Sequence, residues 1–121
     1  MLLALLPLLG LQAAATPPQI DLNQAITYIE SHAQLPPEAK PLKDYVRVYA
    51  LDSSGLRIDG EYSIGFLKMP PGVYVVPYNQ LPSVADGTCA TNLSVFYTPE
   101  EPDVLVTCKG HTPPPPGDLK N

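Results

Sequence analysis

The chain has 121 residues, a net charge of −5 and 45% hydrophobic residues, enough apolar content for one small domain. An acidic chain with scattered lysines lacks the clustered positive charge that drives nucleic-acid or anionic-membrane binding. Its sixteen prolines fall mainly in linkers and at the C-terminus, which calls for short elements and many turns.

Met1 to Leu11, MLLALLPLLGL, is an apolar run of signal-peptide length and too short to span a bilayer. Ala13-Ala14-Ala15 supplies the small side chains that a signal peptidase accepts. Cleavage is expected after Ala15, leaving residues 16–121 with all of the charge. No Lys or Arg precedes the run, so either the α-amino group supplies the n-region charge or the true start lies upstream. A buried helix is the alternative, against which Pro7 and Gly10 argue. No cysteine follows the cleavage point to carry a lipid, so no membrane anchor is expected.

After a Pro-rich lead, Asp21 is a good N-cap, and Gln24 three residues on completes a capping-box pattern. Leu22, Ala25, Ile26, Ile29 and Ala33 make one apolar stripe at helical spacing, and Pro36-Pro37 ends the element. His32 falls near the helix C-terminus, where a cation complements the dipole.

Everything after Lys43 reads as strands. Tyr45 to Ala50 and Leu56 to Ile64 alternate around Asp52-Ser53-Ser54-Gly55. A three-residue loop, Ser53 to Gly55, places Gly at the left-handed position. It predicts Ala50 opposite Ile58, Val48 opposite Gly60 and Val46 opposite Tyr62, with these apolar residues on one face. Arg47 then opposes Glu61 and Tyr49 opposes Asp59 on the solvent face. Tyr45, Arg47 and Tyr49 become an exposed stripe, a possible interaction surface because Tyr and Arg are frequent binding anchors. The alternative is simple cross-strand packing with an exposed Arg47–Glu61 pair.

Val73 to Val76, between Pro70-Pro71-Gly72 and Pro77, has no alternation and predicts a strand buried on both sides or central. Residues 78–91 read as loop, with Pro82 and Asp86-Gly87 as turn signals. Leu93 to Tyr97 and Val104 to Cys108 form the last hairpin, and pairing Tyr97 with Val104 aligns Leu93, Val95, Val106 and Cys108. From His111 the sequence HTPPPPGDLKN reads as a polyproline II-like tail. The expected architecture is α+β: an N-terminal helix packed on an antiparallel sheet of about five strands, with one disulfide. The domains are a signal peptide 1–15, a small α+β domain 16–110 and a Pro-rich disordered tail 111–121.

Cys89 and Cys108 are the only cysteines, in a chain addressed to an oxidising compartment. Their disulfide closes a loop of about 20 residues and should stabilise the fold by roughly 3 kcal/mol in the chain-entropy model. A redox pair would favour CxxC spacing at a helix N-terminus. Catalytic and metal motifs are absent: no HExxH, no paired Cys/His spacing and no Gly-rich phosphate loop, with only His32 and His111 as histidines. No catalytic residue, metal or cofactor is therefore expected. Glu100 and Glu101 read as solvated turn residues, and Asn92-Leu93-Ser94 is a formal glycosylation sequon.

The segments YVRVYALDSSGLRIDGEY, PPGVYVVPYNQLPSVADGTC and NLSVFYTPEEPDVLVTCKG resemble a group of uncharacterised short exported proteins of Gram-negative alphaproteobacteria. That group pairs a YxRYYA-like strand with a PGVxxVP stretch, a DGGC-like turn and a terminal CNG-like strand. ADGTC and CKG stand here at the last two positions, and the likeness spans roughly Asp44 to Gly110. It implies a periplasmic address and a disulfide, and no activity. The helix-then-strands order is also similar to cystatins, but DSSG occupies the first hairpin turn and no QxVxG loop is found. The expectation is a periplasmic or secreted non-catalytic domain binding a protein, peptide or envelope component. The alternatives, in order, are an inhibitor of a hydrolase, presenting 78–91 or the 98–103 turn, and a small enzyme.

Overall fold

The computed structural model describes residues 20–83 and 88–108. The expected signal peptide, the Asp86-Gly87 turn, His111 and the tail lie outside them. Helix α1 spans Leu22–His32 and is followed by strands β1 (Val46–Leu51), β2 (Ile58–Ser63), β3 (Gly72–Val75), β4 (Asn92–Tyr97) and β5 (Leu105–Cys108). The five strands form one mixed sheet in the order β3-β1-β2-β4-β5. Its α+β character and its disulfide agree with the sequence reading.

The start of α1 follows from its cap. The Asp21 carboxylate accepts the Gln24 N–H at 3.1 Å, satisfying one of the four unpaired amides of the first turn. The helix ends at His32, four residues before Pro36, as Ala33 turns extended while its N–H still bonds Ile29 O. Ala25, Ile26 and Ile29 are buried. They meet Tyr45 and Tyr49, Ile58 and Tyr62 of β2, and Leu93, Val95 and Tyr97 of β4. Burying each isoleucine contributes roughly 2 kcal/mol.

The register of the first hairpin is one residue away from expectation. Val48 lies opposite Glu61, Tyr49 opposite Gly60 and Arg47 opposite Tyr62. The loop holds four residues, Ser53 to Leu56, and is closed by Asp52 N–H on Arg57 O at 2.8 Å. Gly55 does take the left-handed conformation, at φ 77°. Two local features favour the slipped register. The Asp52 carboxylate accepts the Ser54 hydroxyl and the Arg57 and Leu56 amides at 2.8, 3.1 and 3.3 Å, which fastens the longer loop. Gly60 also receives the Tyr49 ring: a Cβ there would meet Tyr49 Cδ1 and Cε1 at 3.0 Å.

A one-residue slip turns β1 over relative to β2, whose Ile58, Gly60 and Tyr62 stay on the helix side. The helix side carries Tyr49, Gly60, Val95 and Val106 in one row, while the far side carries Val48, Glu61, Ser94 and Thr107. All six residues of β2 are nevertheless buried, because both faces of the central strands are covered. The described part of the connection after β3 brings Tyr78, Leu81 and Pro82 against Asp59, Glu61 and Phe96 on the far side.

Strand β3 corrects two further expectations. It is an edge strand, and it runs parallel to β1, with Arg47 beside Val73 and Tyr49 beside Val75. Its side chains alternate half-buried and exposed, as an edge allows and a central strand does not. The last hairpin keeps the expected register, with Leu93 opposite Cys108 and Val95 opposite Val106.

Candidate functional site

Tyr45, Arg47 and Tyr49 were expected on the solvent side. The slip turns them under α1, and the two tyrosines are completely buried. The Tyr45 hydroxyl donates to Ala90 O and accepts the Lys40 amide. Arg47 Nε donates to Glu30 Oε2 at 2.7 Å, and its Nη1 donates to Leu42 O and Tyr45 O. Glu61, the expected partner of Arg47, is on the opposite face. Tyr49 donates to the same Glu30 oxygen at 2.6 Å, so Tyr62 must supply the proton of the bond between the two hydroxyls. Burial is the main cause that pushes both phenols up, Tyr62 to about 12 and Tyr49 further, the neighbouring Tyr62 and Glu30 adding to it at Tyr49. The five side chains form a closed polar seam between helix and sheet. The stripe is thus packing, and it offers no interaction surface.

A second convergence lies on the far face. Asp59 and Glu61 line a cleft of about 260 Å³ with Tyr78, Leu81, Pro82 and Phe96. The Asp59 carboxylate is held by Arg57 through two bonds, Nε at 2.6 Å and Nη2 at 2.9 Å, and Arg57 also lies over the Phe96 ring. Glu61 accepts the Ser94 hydroxyl at 2.7 Å. These carboxylates are 5% and 8% exposed and bind their own neighbours, so their evident work is to hold β2 to β4 and to its own start.

His32 is exposed at the end of α1, its ring stacked on Tyr28 at 3.8 Å. Glu100 and Glu101 are in an exposed turn closed by Glu101 N–H on Thr98 O. Asn92 and Ser94 of the sequon are 1% and 3% exposed, and Asn92 bonds Ser63, so the folded domain hides this acceptor. Cys89 and Cys108 are joined, with Cα atoms 4.8 Å apart. Among the described residues no group of three His, Cys, Asp or Glu is placed to hold a metal ion, and no helix is long and apolar enough to cross a membrane.

What the surface does present is the outer edge of β3. Gly72 N–H bonds Tyr45 O and Val76 N–H bonds Tyr49 O, so the backbone groups of residues 72, 74 and 76 face β1. By alternation, the N–H and C=O of Val73 and Val75 face outward. Neither valine backbone has a partner among the described residues. The two valines are 43% and 50% exposed, on the helix side of the sheet, and the connection leading into the strand exposes Phe66 and Met69. A signal for this was present in the sequence: prolines at 70, 71 and 77 bracket a four-residue run, and proline brackets belong to edges because proline cannot donate to a ladder. The unbroken apolar run, which resembles a buried central strand, masked it.

No protein-family model matches the chain, and no curated protein or solved structure matches it either.

Proposed function

We propose that this protein is an exported, non-catalytic binding domain that engages a protein, peptide or envelope component by pairing with the edge of β3. The observation that carries the reading is the outward pair of N–H and C=O groups at Val73 and Val75, flanked by half-exposed valine side chains. Such an edge gives a partner strand main-chain bonds for affinity and side-chain contacts for selectivity. The ionisable groups that converge elsewhere are engaged in bonds that hold the layers together, which supports a scaffold for binding. The disulfide supports an oxidising address.

Immobilised chain, incubated with a periplasmic and envelope extract, tests this reading. The wild type is expected to retain a component that the Val75→Pro variant does not, since that change removes one outward amide and no bond to β1. Equal retention by both forms, or by neither, would refute edge binding. The inhibitor reading has one favourable observation: the Tyr28 hydroxyl bonds Pro102 O at 2.7 Å and ties down the 98–103 turn that such a protein would present. Undiminished hydrolase activity in the same extract after adding the chain would remove it.

A further inference from the structure

Resting on the edge-binding reading, we propose that the partner of β3 is the β3 of a second copy of this chain, paired antiparallel about a two-fold axis at Tyr74. The outward groups are those of Val73 and Val75, two residues apart. An antiparallel copy centred on Tyr74 sets Val73 against the partner's Val75 and Val75 against the partner's Val73. Both pairs are then hydrogen-bonded, giving four main-chain bonds that use every outward group of the strand. The valines share the helix side of the sheet, so the same register puts β-branched side chains directly across from one another.

Three features make the fit specific to a second copy. Pro71 and Pro77 limit the pairable stretch to a few residues, and a strand of the same length with the same brackets matches it without overhang. Residues 69–81 carry no charge, so an acidic chain can approach its own copy there without opposing like charges across the strands. Tyr74, on the axis, leaves the approach open: its ring lies back over Gly72, and its hydroxyl donates to Pro70 O at 2.8 Å. The result is a sheet of twice the strand number, ended by the prolines and unable to grow from this edge.

Sedimentation of the chain recovered from the periplasm, over concentrations up to about 1 mM, measures the association directly. A monomer–dimer equilibrium is expected, weakened on the order of tenfold or more by Val75→Pro, which deletes two of the four symmetric bonds. Tyr74→Cys supplies a second measurement that does not depend on that variant folding. Position 74 meets its own copy as a non-hydrogen-bonded pair, where Cα atoms approach closely enough for a disulfide. With no other free cysteine among the described residues, oxidation should give a covalent dimer, and Leu105→Cys on the other sheet edge should not. A wild type monomeric throughout, with no Tyr74→Cys cross-link, would overturn self-pairing. If Val75→Pro still lost an extract component in that case, edge binding would stand with a different partner. A dimer unaffected by Val75→Pro, or cross-linked through Leu105→Cys instead, would also overturn the β3 assignment.

Discussion

Tyr49, Tyr62 and Glu30 share one hydrogen-bond chain, and its protons have only one arrangement while Glu30 is ionised: Tyr62 to Tyr49 to Glu30. Burial raises the native pKa of Tyr45, Tyr49 and Tyr62 above the value near 10 of an unfolded tyrosine. Above pH 10 the unfolded chain releases these protons before the folded one does. The folded state then binds more protons, and stability falls as pH rises. From these groups stability is expected to be flat below about pH 10 and to decline between about 10 and 12. Phenolate absorbance should show Tyr45, Tyr49 and Tyr62 ionising only with the loss of native circular dichroism. Tyr62→Phe should lessen that alkaline loss at a neutral-pH cost of about 1 kcal/mol for the lost hydrogen bond. Ionisation of all tyrosines near pH 10 with the fold intact would contradict the seam. At this scale Asp21 and the cysteine pair were legible, since a cap and a disulfide depend on chemistry carried by few atoms. The fate of Tyr45, Arg47 and Tyr49 was not, because Glu30 lies on another element and nothing local announces it.

Among the elements, the β1–β2 hairpin shows how a local pattern can support the wrong register. Counting apolar residues favours Val46, Val48 and Ala50 as the core face, and a three-residue loop with Gly55 in place agrees with that. Both faces of β1 and β2 are covered, however, so alternation does not distinguish inside from outside. Loop chemistry and ring packing then decide. Hydrogen bonds from Ser54 and from the Arg57 and Leu56 amides outweigh desolvation, which acts upward, and hold the Asp52 carboxyl below its ordinary range. Asp52→Ala is expected to cost about 1 kcal/mol by losing these bonds. Chemical denaturation measures the cost, and amide exchange should show loss of protection starting at Leu56 and Arg57. No change in either would mean that the tyrosine seam alone holds the register. The β4–β5 hairpin follows its local pattern because only one of its alternating sets, Leu93 and Val95 with Val106 and Cys108, can face the helix.

Among the described residues, α1, the sheet and residues 78–83 of the connection after β3 lie in three layers, tied together at further points. Tyr28 ties α1 to the β4–β5 turn, and Cys89–Cys108 ties the segment before β4 to the end of β5. Tyr45 bonds Ala90, next to Cys89, so the disulfide also steadies the seam beneath the helix. Replacing both cysteines by serine is expected to remove about 3 kcal/mol, a large share of the stability of a domain this size. Thermal unfolding with and without reductant measures it, and unchanged midpoints would remove the bond from the stability account.

The sequence by itself determined the α+β class, the helix start, the last hairpin and the cysteine pair, each set by short-range periodicity, a cap or elimination. Only the tertiary structure decided the mixed sheet, and it resolved what local signals left open: the edge position of β3 and the inward turn of Tyr45, Arg47 and Tyr49. For the mixed sheet and the β3 edge the reason is that β3 pairs with β1 across a long connection that no local pattern reports; for the inward turn it is coverage. Which face of a strand is inside depends on what covers it, and here both faces of the central strands are covered by segments distant in the chain.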